Sequence, residues 1–384
     1  GGALPRMWTG ILTDKYGGRF SILMAGFGAM IANLLMGLAC WLNTNGIIPA
    51  NSLFWSLIVI YPINMYFQSF GAVAIVKANS AWFHVRERGT FGAIFGILIA
   101  LGIYFGYDWS LFILKGLKLQ PQWAFIIPAI ALGVISLLDC WFVKNQPSDA
   151  GLKNISTGDA TDGQSATLDP PIKVFKTMFQ NKVIMTIACI EFCSGFLRQS
   201  IMQLYRLFAK SICADSTGKV DLFVYQNWGM LLCVAGILGG IFAGVISDRI
   251  FQSRRGPVAA ILYVGMLLGS IGMCFLLNLP IQLGWLVIFM SLCIIGVHGM
   301  LSGTATMDFG GTKNTGIAVG IIDGFVYAGT AFQAILYANT LPKGGALASN
   351  PENWWFWPVA MIPMSIIGLI LAWKIRNEKP KKSR

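Results

Sequence analysis

Apolar residues in this chain come in long unbroken blocks. Such blocks cover roughly 20–42, 53–78, 91–112, 122–143, 183–207, 222–246, 258–278, 284–305, 317–340 and 354–374, with a shorter piece at 1–12. About 20 apolar residues in a helix cross a hydrocarbon core about 30 Å thick. In lipid only helices or closed barrels satisfy every backbone amide, and a barrel would alternate apolar and polar positions over strands of about ten residues. These blocks do not alternate. The pattern predicts an all-α polytopic membrane protein with about eleven helices in this chain.

Composition agrees. Hydrophobic residues make up 55% and charged residues 11%, against roughly 25% charged in a soluble domain. The net charge of +12 would point to nucleic acid in a soluble protein. Here the positive-inside rule accounts for it. Nineteen of the 28 basic residues lie in 13–19, 82–90, 144–182, 247–257, 306–316 and the tail, whereas the opposite loops hold only Lys115, Lys118, Lys210, Lys219 and Lys343. The basic side is therefore expected to be cytoplasmic, C-terminus included, in an inner or plasma membrane. Trp354, Trp355 and Trp357 read as an interfacial belt. Lys381, Lys382 and Arg384 read as contacts to anionic lipid heads. The eight cysteines form no CxxC pair and lie mostly within spans, so they read as small packing residues. Gly310-Gly311 lacks the strand–loop–helix context of a phosphate-binding loop. No metal, cofactor or nucleic acid is expected, and no nucleophile–base pair marks an enzyme.

The longest polar stretch divides the blocks. Segment 144–180 reads as a cytoplasmic linker between a first bundle, 1–143, and a second, 181–376, followed by a basic tail, 377–384. Six blocks follow the linker and five precede it, which fits two bundles of six helices whose first helix is absent from this sequence. An internal repeat supports the division. Gly10-Ile-Leu-Thr-Asp14-Lys15, with Gly18-Arg19 after it, matches Gly244-Val-Ile-Ser-Asp248-Arg249, with Arg254-Arg255-Gly256 after it. Arg88-Gly89-Thr90 and Asn314-Thr315-Gly316 each open a fifth helix. In the first motif glycine permits close helix approach, and the aspartate can face a helix N-terminus or pair with a base. Such a latch can break and reform as two bundles rock. The gate expected from these motifs comprises Gly10, Asp14, Lys15, Arg19, Arg86, Glu87, Arg88, Gly244, Asp248, Arg249 and Arg255.

A charge inside a span costs at least about 2.5–3.5 kcal/mol, so each needs a partner or a cavity. Arg6, Lys77, Arg198, Arg206, Glu191 and Asp323 lie within spans, with Asp108 and Asp139 nearer to ends. Arg198 is mid-helix, and a guanidinium matches an oxyanion bidentately; a structural ion pair is the other reading. Glu191, seven residues earlier, falls on nearly the same face and could tune Arg198, carry a proton, or pair with a base elsewhere. Gln199 and Gln203 extend that helix, and at least one could line a cavity. Arg6 is a pocket cation or snorkels to the basic side, and Lys77 has the same two options with a gate pair as a third. Asp323 and Tyr327 share a face at i, i+4. His298 is either a proton relay or a packed, hydrogen-bonded side chain.

The helix–loop motifs resemble those of the major facilitator superfamily, and within it the organophosphate:phosphate antiporters. Asn64-Met-Tyr-Phe-Gln68-Ser-Phe-Gly71, Lys77, Trp82 and Arg86-Glu87-Arg88-Gly89 follow that branch's fourth helix and the loop after it. Ser247-Asp248-Arg249-Ile-Phe251, Phe196-Leu197-Arg198 and Gly324-Phe-Val-Tyr327-Ala-Gly329 resemble its second-half loop, seventh helix and eleventh helix. The resemblance implies a monomeric transporter that exchanges a small phosphorylated anion for inorganic phosphate across the bilayer. It implies phosphate held by Arg198 and a first-helix cation, with Arg6 as a further cation and Tyr327 in the pocket. The sequence departs from the branch at Ile99, where glycerol-phosphate members carry a histidine, and at Gly195, where they carry an aromatic. Two other readings stay open. One is a proton-coupled symporter of a sugar or carboxylate using Glu191, Asp323 or His298. The other is a sensor that binds without transport.

Overall fold

The computed structural model describes residues 3–159, 170–252 and 254–378. The basic tail from 379 onward, with its expected lipid contacts, lies outside them. Among the described residues the chain is helical, apart from a lone antiparallel bridge between Ala214 and Val220.

In the first half α1 covers Ala3–Tyr16, α2 Gly18–Thr44, α3 Ala50–Ser80 and α4 Arg88–Tyr104, with α5 at Trp123–Phe142. Helix α4 continues through π-helical turns at Phe105–Trp109 and Phe112–Gly116. A short α6, Pro171–Gln180, leads into α7, Lys182–Met202, and α8, Leu204–Cys213. After a turn of helix, α9 at Phe223–Gln226, come α10 Trp228–Arg249, α11 Arg255–Leu276 and α12 Pro280–His298. A π-helical segment, Gly299–Ala305, joins α12 to α13, Thr306–Thr340; a turn α14, Gly345–Ala348, then precedes α15, Phe356–Lys374.

Nine described stretches are long and apolar enough to cross a membrane, and one of them, Pro280–Thr340, is 61 residues long. That stretch holds two of the expected spans. Its reversal falls within α13, where Gly311 takes φ 69° and Asn314 leaves helical geometry. A side chain with a Cβ is strained at that φ. The ten apolar blocks thus all lie in helices, and the loop expected at 306–316 is largely helical turn.

Large apolar side chains face outward along the spans: Trp141 is 73% exposed, Leu268 63% and Phe275 78%. On a water-soluble surface so many would form an aggregating patch; facing lipid they are at home. By contrast the stretch Lys182–Cys213, α7 with α8, is the most enclosed of the nine described spans.

In the first half α2 packs on α3 and α5, and α1 on α3; in the second, α7 packs on α13 and α15, and α12 on α10 and α11. The two sets meet where α1 and α3 lie on α13, and where α4 lies on α10 and the π segment. Glycine sets these crossings. A Cβ on Gly10 would stand 2.4 Å from the Gly316 carbonyl oxygen, and one on Gly244 2.4 Å from that of Gly89.

The stretch expected as a plain polar linker carries structure. In α6, Val174, Phe175 and Met178 pack on the second-half core, while Lys173, Lys176 and Thr177 face outward. That three-to-four spacing makes α6 an amphipathic surface helix.

Candidate functional site

A cavity of about 570 Å³ lies between the two sets of helices. Its polar lining is Arg6 from α1, Asn33 from α2, Gln68 from α3, Ser136 and Asp139 from α5, Arg198 from α7, His298 from α12, and Asp323 and Tyr327 from α13. The sequence reading named Arg6, Arg198, His298, Asp323 and Tyr327 for such a site, and they converge here from four helices.

Their partners differ sharply. The Arg6 guanidinium donates to Asp323 Oδ2 at 2.5 Å and to the Tyr327 hydroxyl at 2.8 Å, with the Tyr327 ring centroid 4.3 Å away. The Ser302 hydroxyl donates to the other Asp323 oxygen. Arg6 and Asp323 are therefore a pair that ties α1 to α13. His298 Nδ1 lies 2.9 Å from Glu191 Oε2, so Glu191 pairs with a residue of α12 and not with Arg198 on its own helix. Arg198 makes no hydrogen bond or ion pair to any described residue, although its charge reaches Asp323. A cavity-lining guanidinium without a protein anion is a ready oxyanion site.

Three expected pocket residues lie elsewhere. Gln199 and Gln203 do not line this cavity; Gln203 is exposed at the break between α7 and α8. Lys77 sits in the layer below, 2.6 Å from Asp14, and donates to the carbonyls of Thr312 and Lys313 at 2.7 Å. Asn33 and Gln68 were not anticipated. Gln68 donates to Asn64 and Asn64 to Asn33, at 2.9 and 3.1 Å, forming a polar ladder on the cavity wall. The signal available was Asn64 and Gln68 at i, i+4 in an apolar helix. Ile99 lines the cavity, so this wall is apolar. Gly195 is forced: a Cβ there would meet the Val326 carbonyl oxygen at 2.1 Å, leaving no room for an aromatic where α7 crosses α13.

Toward the basic face the cavity ends in a buried ionic layer. Asp14 accepts from the backbone N–H groups of Gly316 and Ile317 at 2.9 and 2.7 Å, which start the membrane part of α13. Its repeat counterpart Asp248 stands at the start of α4; a Cβ on Gly89 would be 1.8 Å from Asp248 Oδ2. Each repeat aspartate thus meets the N-terminus of the fifth helix of the other half, where the helix dipole favours negative charge. Arg88, fully buried, reaches Asp308 at 3.3 Å and Asp159 at 2.8 Å. Arg255 reaches Asp248 at 2.7 Å and Asp308 at 3.1 Å. Of the other expected gate residues, Arg19 donates to the Cys140 carbonyl at 2.5 Å within the first half. Lys15, Arg86, Glu87 and Arg249 are exposed at the rim.

Sequence reasoning missed Asp308 and Asp159. Asp159 belongs to the linker, is fully buried, and accepts from Arg88, Thr157 and Thr312. Nothing in the linker's mixed polar composition distinguishes this aspartate from its neighbours. The ordering depends on a guanidinium 71 residues away in sequence.

The Major Facilitator Superfamily profile matches residues 1–334. The chain belongs to the Major Facilitator Superfamily. Solved facilitator structures share the fold. The proton:xylose symporter XylE superposes with a TM-score of 0.70 at 14% identity, covering 99% of this chain and 86% of the other. FucP in the outward conformation superposes at 0.67 with 11% identity, covering 99% and 88%. Sequence relatives lie in the organophosphate branch that the motifs resemble. The Glycerol-3-phosphate transporter of Bacillus subtilis is 25% identical over 95% of this chain and 79% of its own length. The Membrane sensor protein UhpC of Salmonella typhimurium is 23% identical over 98% and 80%. A probable hexose phosphate transport protein of Chlamydia trachomatis is 22% identical over 99% and 81%. The solved structural neighbours are named as transporters, and the facilitator match accords with a multi-pass membrane protein.

Proposed function

We propose that this facilitator exchanges a small phosphorylated anion, such as glycerol phosphate or a sugar phosphate, for inorganic phosphate. The observation that carries the reading is Arg198: a guanidinium on the cavity wall with no anion partner among the described residues. A phosphoryl group supplies a pair of oxygens that accept two parallel N–H bonds from a guanidinium. Low dielectric around the cavity strengthens the contact. Arg6, with Tyr327, stands as the second donor. A phosphate that reaches it competes with Asp323 for the same N–H groups.

The anion is held between the halves, and the halves rock about it. With the anion bound, the ionic layer of Asp14, Lys77, Arg88, Arg255, Asp248 and Asp308 opens, and the cavity faces the basic side. That side is the cytoplasm, the C-terminus lies there, and the protein works as a monomer in the inner or plasma membrane. Because bound phosphate lowers the barrier to rocking, net movement requires an anion in both directions, which makes the process an exchange.

Liposomes preloaded with inorganic phosphate test the proposal. Labelled phosphate is expected to enter only when phosphate is inside, and to be displaced by glycerol phosphate or a hexose phosphate. Arg198→Ala is expected to abolish the exchange. Saturable binding of an organophosphate without flux would instead support the sensor reading, which the similarity to UhpC favours. Uptake of an uncharged sugar under a proton gradient would refute the phosphate site.

A further inference from the structure

Beneath Arg198 a carboxyl–imidazole pair adjoins the cavity wall, and the exchange mechanism does not use it. Glu191 of α7 is fully buried, and its Oε2 lies 2.9 Å from Nδ1 of His298. His298 ends α12 where the π segment begins, and it lines the cavity. The other Glu191 oxygen, Oε1, has no hydrogen-bond partner. A buried carboxylate oxygen without a donor is costly to leave bare. The pair therefore has a vacancy for one more proton, and His298 is the group between that vacancy and the cavity.

We propose that Glu191 and His298 form a proton-binding site that loads together with the doubly charged form of a phosphate anion. Among the described residues no other group hydrogen-bonds to this pair. Asp323 on α13 is committed to Arg6 and Ser302, and lies within electrostatic reach of both His298 and Arg198. Tyr263 on α11 gives its hydroxyl to the Ile190 carbonyl at 2.6 Å. Cys189 and Cys193 flank Glu191 on α7. Helix α15, packed on α7, has no titratable group before Lys374, and the π segment has none. Helix α10, packed on α12, contributes Cys233, Asp248 and Arg249, the last two at its basic end. Helix α4, packed on the π segment, contributes Arg88 in the ionic layer and Tyr104 at its far end, and α6 brings Lys173 and Lys176, both exposed. Asp139 lies across the cavity beside Cys140, whose carbonyl holds the Arg19 guanidinium.

Charge balance then sets the stoichiometry. With one proton the pair is imidazolium and carboxylate, neutral overall; Arg6 is paired with Asp323, Asp139 stands across the cavity, and Arg198 is the cation without an ion-pair partner among the described residues. A phosphate monoanion matches that single charge. Phosphate monoesters lose a second proton near pH 6, so at neutral pH the dianion brings one further negative charge. A second proton, taken from cavity water, goes to the Glu191 carboxylate, because both nitrogens of the imidazolium already carry hydrogen; this leaves imidazolium and a neutral carboxyl and supplies the match. On release of the dianion the carboxyl gives the same proton back to the cavity. The identity of the anion rests on the phosphate reading above; the proton site itself does not.

Two measurements on the whole purified protein separate these parts. Infrared difference spectra between about pH 5.5 and about pH 8, the range over which histidine changes charge, are expected to show a buried protonated-carboxyl band. Glu191→Gln removes it, and His298→Gln shifts it. Calorimetry of inorganic phosphate binding near pH 8, in two buffers of different ionisation enthalpy, is expected to give about one proton taken up per phosphate. That number falls to about zero in Glu191→Gln. Absence of a Glu191-dependent band overturns the proposal, as does proton uptake unchanged in both variants. A Glu191-dependent band in a protein that neither binds nor exchanges phosphate upholds the proton site and overturns the phosphate reading instead.

Discussion

Replacing Asp14 with asparagine tests the gate at its most direct point. The carboxylate holds two backbone N–H groups at the start of the membrane part of α13, and it also pairs with Lys77. Asparagine keeps one acceptor and loses the charge. Loss of a charge at a partly buried helix N-terminus costs up to about 2 kcal/mol, and loss of one charge-assisted hydrogen bond costs about 1.5–3 kcal/mol. These contacts overlap, so about 2–3 kcal/mol is the working figure. Lys77 keeps its two carbonyl partners on α13, which limits the loss. Asp14 and α13 belong to opposite halves, so the loss falls on the state in which the basic face is sealed. The balance between sealed and open states should therefore move about 30- to 150-fold toward open. Pulsed spin-label distances between positions 15 and 249, the exposed ends of α1 and α10, read that balance. Labels on non-natural residues avoid the eight free cysteines. A second, longer distance should become dominant, and Asp248→Asn should shift the population in the same direction. If the distances stay as in the unaltered protein while overall stability drops, Asp14 is only a turn cap and the latch argument is wrong.

Other perturbations follow from the same contacts. Arg198→Lys should keep some phosphate exchange but weaken apparent affinity more than tenfold, because an ammonium lacks the bidentate fork; flux against phosphate concentration measures it. Asp159→Asn leaves the buried Arg88 guanidinium with Asp308 as its remaining acid. Breaking a buried pair costs about 3–5 kcal/mol, so the melting temperature should fall by several degrees and the 153–159 segment should become protease-sensitive. Gly10→Val puts a branched side chain where even a Cβ stands 2.4 Å from the Gly316 oxygen, so it should disfavour the sealed state and open the same spin-label distance. In the 214–220 turn the Thr217 hydroxyl and the Lys219 and Thr217 N–H groups hold the Asp215 carboxyl below its ordinary range. The turn's stabilisation is then present above the ordinary carboxylate value and is lost as pH falls through the depressed folded value, which amide exchange across Thr217–Lys219 would follow; loss at ordinary carboxylate pH would contradict it.

The membrane class, the positions of the spans and the more basic face were legible in the residues, because the transfer cost of each side chain into lipid is a local property. The intramembrane charges stood out for the same reason, and the repeat marked the two aspartates that meet helix starts in the opposite halves. Which charge meets which was not legible. Glu191 lies on nearly the same face as Arg198, yet it pairs with His298 because α12 crosses α7 at that height. Lys77 could have reached the cavity or the basic face, and the packing of α3 on α13 places it in the ionic layer with Asp14. Asp308 and Asp159 looked like ordinary loop acids until folding brought Arg88 and Arg255 to them. Hydrophobicity along the chain decides what enters the membrane; only the crossing of helices decides which intramembrane ions find partners and leaves Arg198 on the cavity wall without one among the described residues.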